Sequence, residues 1–305
     1  MTASLAAGWT RPTSGAAVIL HQPMLGDQAM LGITRRTFCR ASLAATLIGA
    51  DRASADPTAP RDPWPDLAAA VFNGRPLADG TGLISVEMPV RAEDAAIVPL
   101  TVRASLPPAD DRRVKSFTIV IDENPAPVAA TFAIGANSGV SSISTRVRVD
   151  SYTNVHVIAE LSDGTLPMVA VYVKASGGCS APALKNADEA RTAIGQMKFR
   201  QFAAPADATR PHRPEAQIMV RHPNNSGLQM DQVTRLYTPV FFVRELRIWQ
   251  GDDLVLAMDG GISISEDPNI RFDYAPNGAA AFRAEAVDTD DHVFKGEWPV
   301  ETPKM

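Results

Sequence analysis

Cysteine is nearly absent: the chain holds two, Cys39 and Cys179. Cys39 falls in an N-terminal segment expected to be removed, so Cys179 stands alone in the mature protein and no internal disulfide can form. An unpaired cysteine is a liability in an oxidising compartment and asks for a functional explanation. Long hydrophobic runs are also missing. The longest candidate, Ala41–Ala50, is far shorter than the ~20 residues of a membrane-spanning helix. Positive charge is in deficit. Beyond residue 55 there remain 24 basic and 32 acidic residues, a net charge of −8. Such a chain repels nucleic acid and anionic membrane surfaces, which excludes both as partners. No Walker loop, GxSxG elbow, HExxH pair or EF-hand loop occurs. The mature histidines, His156, His212, His222 and His292, have no metal-ligand spacing. No metal and no dissociable cofactor is expected.

The N-terminus carries an address. Thr34-Arg35-Arg36-Thr37-Phe38 contains paired arginines, Arg40 follows, and then come the apolar run and the small residues Ala53-Ser54-Ala55. Basic, apolar and small-x-small in that order describe a cleavable signal, and Arg35 with Arg36 makes it a twin-arginine (Tat) type, which exports folded proteins. Residues 1–55 are therefore assigned to the signal, with Met30 as an alternative start, and the mature protein is expected in the periplasm.

Beyond it, Pro65-Asp66 and Asn73-Gly74 bracket a short helix near 66–72. Seven strand-like runs follow: 83–88, 97–103, 117–121, 128–134, 143–149, 155–161 and 168–174. In the fifth, Ile143, Thr145, Val147 and Val149 alternate with Ser144, Arg146, Arg148 and Asp150, the period of a half-buried strand. This spacing predicts an immunoglobulin-like sandwich over 63–184. A helix over Ala187–Met197 and an Ala/Pro-rich linker fill 185–214. Six more runs (216–221, 240–249, 254–259, 270–274, 279–287, 293–298) predict a second sandwich over 215–303, with Gln250-Gly251-Asp252-Asp253 as a hairpin turn. The fold class is all-β: two immunoglobulin-like sandwiches in tandem, in contact with each other, with Phe241, Phe242 and Trp249 as candidates for that contact.

One segment stands out chemically. Lys174-Ala175-Ser176-Gly177-Gly178-Cys179-Ser180-Ala181-Pro182 follows the last strand of the first sandwich. Gly177 and Gly178 permit almost any backbone angle, so the Cys179 thiol is expected on a mobile, exposed loop. Lys174 and Lys185 are the nearest cations in sequence, and nearby positive charge favours the reactive thiolate. His156, between Val155 and Val157, reads as an exposed or satisfied strand histidine.

These residues resemble a known pair of proteins. Val98-Pro99-Leu100-Thr101-Val102, Asp122-Glu123-Asn124-Pro125-Ala126-Pro127 and Thr145-Arg146-Val147-Arg148-Val149 are similar to the body of SoxY, and Gly177-Gly178-Cys179 to its sulfur-carrying arm. Arg221-His222-Pro223-Asn224-Asn225-Ser226-Gly227 and Glu266-Asp267-Pro268-Asn269 are similar to its partner SoxZ. The resemblance, to a fused SoxY–SoxZ carrier of the kind found beside quinoprotein dehydrogenases, implies a sulfur-containing or other thiol-linked adduct on Cys179. It implies periplasmic redox enzymes as partners, either Sox-type enzymes or a quinoprotein dehydrogenase or cytochrome. Ser180-Ala181-Pro182 replaces the terminal glycines of the arm, and the chain continues beyond it, so the segment is anchored at both ends. A module that docks on such an enzyme without carrying anything is the second reading. An enzyme is not expected, because no resolving cysteine and no catalytic base accompany the thiol.

Overall fold

The computed structural model describes residues 62–182, 192–203, 213–231 and 234–301. The signal with Arg35 and Arg36, residues 187–191 of the expected helix, Lys185 and most of the linker lie outside these residues.

The described chain opens with α1 (Trp64–Val71). Asp62 Oδ1 accepts the Trp64 N–H at 3.1 Å, and Pro65 sits at the first turn. The stop falls where the sequence placed it: Asn73 and Gly74 take φ of 53° and 69°. The remaining elements are strands. The N-terminal half contributes β1 (Ala78–Asp79), β2 (Ile84–Glu87), β3 (Val98–Ala104), β4 (Val114–Ile121), β5 (Val128–Ile134), β6 (Ser142–Val147), β7 (Thr153–Leu161) and β8 (Pro167–Val173). The C-terminal half contributes β9 (Met197–Phe202), β10 (Glu215–Val220), β11 (Val243–Gln250), β12 (Asp253–Gly260), β13 (Asn269–Asp273), β14 (Ala281–Asp288) and β15 (Val293–Pro299).

The fold is all-β, with one two-sheet sandwich per half. The two are not merely packed on each other: their sheets are continuous. One sheet runs β1-β8-β7-β4-β5-β12-β11-β14-β15 and the other β2-β3-β6-β13-β10-β9. The halves therefore meet edge to edge, twice. β5 pairs antiparallel with β12 from Leu256↔Ile134 to Gly260↔Ala130. β6 pairs with β13 at Arg271↔Ser144 and Phe272↔Ile143. Asp273 reinforces the second seam, its Oδ1 accepting the N–H groups of Ser141 and Ser142 at 2.7 Å each. Phe241, Phe242 and Trp249 take no part in these seams. Phe241 packs on His222 (centroids 4.4 Å apart), and Trp249 lies under the Arg283 guanidinium.

Alternation along the strands explains why the two sheets face each other. β3 buries Val98, Leu100 and Val102, and β10 buries Ala216, Ile218 and Val220; all six belong to one core shared by both halves. Full burial of a large side chain such as Phe117 or Phe272 stabilises by about 1.5–3 kcal/mol. β7 is buried on both faces because α1 covers its outer side, where Phe72, Val120, Ile158 and Leu166 form a small second cluster.

Two expectations need correction. Met197 does not end a helix; it begins β9, which pairs with β10 from Glu215↔Phe202 to Val220↔Met197. Residues 197–202, read as helix and linker, thus belong to the second sandwich. The alternation of β6 also breaks at its end, since Arg148 is buried like Val147 and Val149.

Among the described residues no helix is long and apolar enough to cross a membrane, and no group of three or more metal-ligating side chains converges.

Candidate functional site

The segment around Cys179 begins where β8 ends. Lys174 is tied into a parallel bridge with Arg91, its N–H donating to the Val90 carbonyl at 2.8 Å. The chain then runs along the end of β6. Gly177 N–H donates to Asp150 O (2.7 Å) and Gly178 N–H to Val149 O (3.0 Å). Gly177 takes φ of +77°, a region that other residues enter at a cost of about 1–2 kcal/mol. Gly178 is required for a different reason. A β-carbon there would lie 2.1 Å from Ala95 O and 2.6 Å from Val149 O. The glycines let the segment lie tight against the body of the sandwich.

Cys179 is consequently not exposed: its relative accessibility is 0%. This corrects the expectation of a mobile, open loop. Its N–H donates to Asp150 Oδ1 at 3.2 Å. Its carbonyl accepts a hydrogen bond from the Ser226 hydroxyl, which belongs to the C-terminal half. Burial pushes the thiol up to about 12; the Asp150 carboxylate adds to the shift and the Arg148 guanidinium opposes it. At neutral pH the sheltered group is a protonated thiol and a poor nucleophile.

The cation beside it is Arg148, not a lysine. Arg148 is the cation that acts on the thiol; it is 1% exposed and lies against the segment. Its Nη1 donates to Gly178 O (3.2 Å) and its Nη2 to Asn224 O (3.3 Å), while Nε has no partner. Burial lowers its pKa, and Cys179, Glu266 and Asp94 act in the opposite direction.

The Arg221–Gly227 stretch forms the cover. Asn224 takes φ of 44°, its N–H donates to His222 Nδ1 (3.1 Å), and its Oδ1 accepts Val243 N–H (3.1 Å). Ser226 is held by Gln229, whose Oε1 accepts the Ser226 N–H at 2.9 Å. Beneath the cover, Asn124 stitches the halves together. Its Nδ2 donates to Arg148 O and Ser263 Oγ, both at 2.8 Å, and its Oδ1 accepts Asp150 N–H at 2.8 Å.

The SoxY family model (sulfur oxidation protein SoxY) matches residues 68–179, ending on Cys179. The SoxZ family model (sulphur oxidation protein SoxZ) matches residues 203–299. This chain belongs to the fused SoxY–SoxZ sulfur carriers. Among solved structures it is similar to the sulfur carrier protein SoxY from Chlorobium limicola f thiosulfatophilum, at 25% identity over 37% of this chain and 91% of that one, with a TM-score of 0.30. No curated protein matches. The two matches fall on the two halves of the fold, so the SoxZ half supplies the cover over the cysteine of the SoxY half.

The other histidines are placed apart from this cover or within it. His156 is a buried, partnered strand histidine: Nε2 lies 3.1 Å from Asp122 Oδ2, and Trp64 of α1 stacks on the ring with centroids 3.5 Å apart. Burial raises Asp122 to about 7, aided by Asp62 and Glu123, and depresses His156 to about 4. His222, at the start of the cover, is fully enclosed, with Nε2 3.6 Å from Asp288 Oδ2. His292 Nδ1–H donates to the same carboxylate oxygen at 2.9 Å. His212 lies outside the described residues. A groove of about 690 Å³ lined by Arg103, Arg113 and Asp273, among others, includes no residue of the Cys179 segment.

Sequence reading found the cysteine and its two glycines but missed Arg148 and the contacts of Ser226 and Asn124. Arg148 alone left a signal, a charge at a position where β6 gives way to the buried Val149.

Proposed function

We propose that this carrier works in the periplasm after Tat export through Arg35 and Arg36, and that Cys179 bears its cargo, a sulfur-containing or other thiol-linked adduct. Its donors and acceptors are periplasmic redox enzymes, either Sox-type or a quinoprotein dehydrogenase or cytochrome. One observation carries the reading: the lone mature cysteine, directly after Gly177 and Gly178, is buried with its carbonyl held by Ser226 of the SoxZ half.

Loading and unloading then require two states. In the closed state the thiol is protonated and covered. In the open state the segment releases its bonds to Val149, Asp150, Arg148 and Ser226. Exchanging a few such bonds for water costs about 1 kcal/mol each, so an open minority of the population is accessible. Because Ser180-Ala181-Pro182 continues the chain, the segment opens as a loop and its reach is set by both anchors. A partner that binds the open loop shifts the balance by its differential affinity.

The test is the intact mass of the protein recovered from its own periplasm, with and without reductant. A reductant-labile mass increment that disappears in Cys179→Ser supports the carrier. An unmodified chain in every state of growth overturns it.

The burial of Cys179 also favours a second reading, a docking module for such an enzyme in which the thiol is only structural. A Cys179→Ser strain that grows wherever the deletion strain fails decides for that module.

A further inference from the structure

We propose that Arg148 is the charge-reading residue of the cysteine site: the closed pocket holds an anionic group on Cys179 in preference to a neutral one of the same size. This rests on Cys179 as the attachment point and names what the site selects.

The argument begins with a mismatch between donors and acceptors. A guanidinium has five N–H donors in a fixed fork. Arg148 is buried, yet its described bonds go to two backbone carbonyls, both at long distances, and Nε has no partner. A buried cation whose hydrogen bonds all go to neutral dipoles is weakly compensated, since its desolvation costs several kcal/mol. A neutral donor would serve those two carbonyls as well, so the positive charge asks for an anion. The sulfur belongs to the next residue: Arg148 donates to the carbonyl directly preceding Cys179, and negative charge on Cys179 is the first of the charges that would act on it.

Among the described residues no carboxylate makes a direct ion pair with Arg148. Glu266 and Asp94 act on Arg148 electrostatically. Asp94 is half-buried and its Oδ1 already accepts the Ala96 N–H at 2.8 Å. Asp150, on the thiol side, disfavours negative charge at the sulfur itself. Its carboxylate is half-buried and is engaged by the Cys179 N–H, which fixes it beside the backbone. The site thus disfavours a bare thiolate and favours an anion displaced from the sulfur toward the guanidinium. A protonated thiol in the empty state and a negative terminus in the loaded state satisfy both.

The test uses two matched labels on the mature chain, which has no other cysteine. Iodoacetate and iodoacetamide each undergo displacement of iodide by the thiolate, leaving S-carboxymethyl (anionic) or S-carbamidomethyl (neutral) groups of nearly equal size. The melting temperatures of the two products are then compared. In the native sequence the anionic form should melt about 2–4 °C above the neutral form at low salt. That gap should vanish in Arg148→Met and persist in Arg148→Lys. Equal melting temperatures in the native sequence, or a gap unchanged in Arg148→Met, overturn the inference. If Arg148→Met does not fold, the native comparison and Arg148→Gln decide it. A thiol that alkylates only after unfolding counts against the carrier reading instead. The same two products, prepared unfolded and refolded, still report on Arg148.

Discussion

The Ser226 hydroxyl donates its hydrogen bond to the backbone carbonyl of Cys179, across the boundary between the two matched families. The residue on which the SoxY match ends is therefore held by the SoxZ half. The covered state of the thiol is a property of the fused fold, and it governs how substitutions near the site behave.

Cys179→Ser should destabilise the protein by about 1–3 kcal/mol, because a more polar hydroxyl replaces a thiol in a site with no exposure to water. Urea unfolding of the mature chain measures this. A cost below about 0.5 kcal/mol, normal for exposed positions, would mean that the segment is open in solution.

Gly178→Ala should lever the segment away from the sandwich, since its β-carbon has no room beside Ala95 O and Val149 O. Stability should fall by about 1–3 kcal/mol. Alkylation of Cys179 at neutral pH should at the same time accelerate more than tenfold. Gly177→Ala, strained through φ but not blocked, should have the smaller effect on both.

Thiol reactivity should also follow pH. With the folded thiol near 12, alkylation of the native chain should climb steadily from neutrality through pH 10 without a plateau. The linked effect on folding has a definite sign. A group raised in the fold contributes stability that is present below its unfolded value, near 9, and is lost as pH rises toward 12. Cys179→Ala should flatten that alkaline limb.

At acid pH the pair under Trp64 dominates. Asp122, raised to about 7, contributes stability present below its ordinary 3.8 and lost as pH rises through 7. His156, depressed to about 4, contributes stability present above 6.5 and lost as pH falls through 4. The two slopes oppose each other between about 4 and 7. Asp122→Asn removes one of them, so its stability should drop on acidification from 6.5 to 4 more steeply than that of the native chain. Parallel thermal scans across that range check the prediction.

Cutting the chain between 203 and 213 should leave the halves associated on a sizing column, because both seams are strand pairs inside continuous sheets. Asn124→Ala should weaken that association. It strands Asp150 N–H and Arg148 O at the seam and should cost about 2 kcal/mol or more.

Most strands were legible because their apolar period of two matches the burial observed; Val128–Ile134 agrees at both ends. β9 was not legible, since Lys198 before Phe199 and Arg200-Gln201 between Phe199 and Phe202, next to a helical-looking run, hide its pairing with β10. The site was half legible. Gly177-Gly178 beside a lone cysteine reads as freedom of movement, but the same glycines also permit close packing. What distinguishes the two lies far away in sequence, at Ala95 and Ser226, and becomes visible only when the chain is folded. Asn124 lies within a motif legible in the sequence, but its three bonds join positions 24 to 139 residues distant.

The two strand seams have a consequence for biogenesis. Each half lends the other a neighbour for β5, β6, β12 and β13, and a half made alone would present all its seam strands as bare edges, open to stray pairing and aggregation. When the halves are separate polypeptides, a cell must balance their synthesis to avoid that outcome. On one polypeptide the ratio is one to one at every level of expression, and no orphan half is ever released.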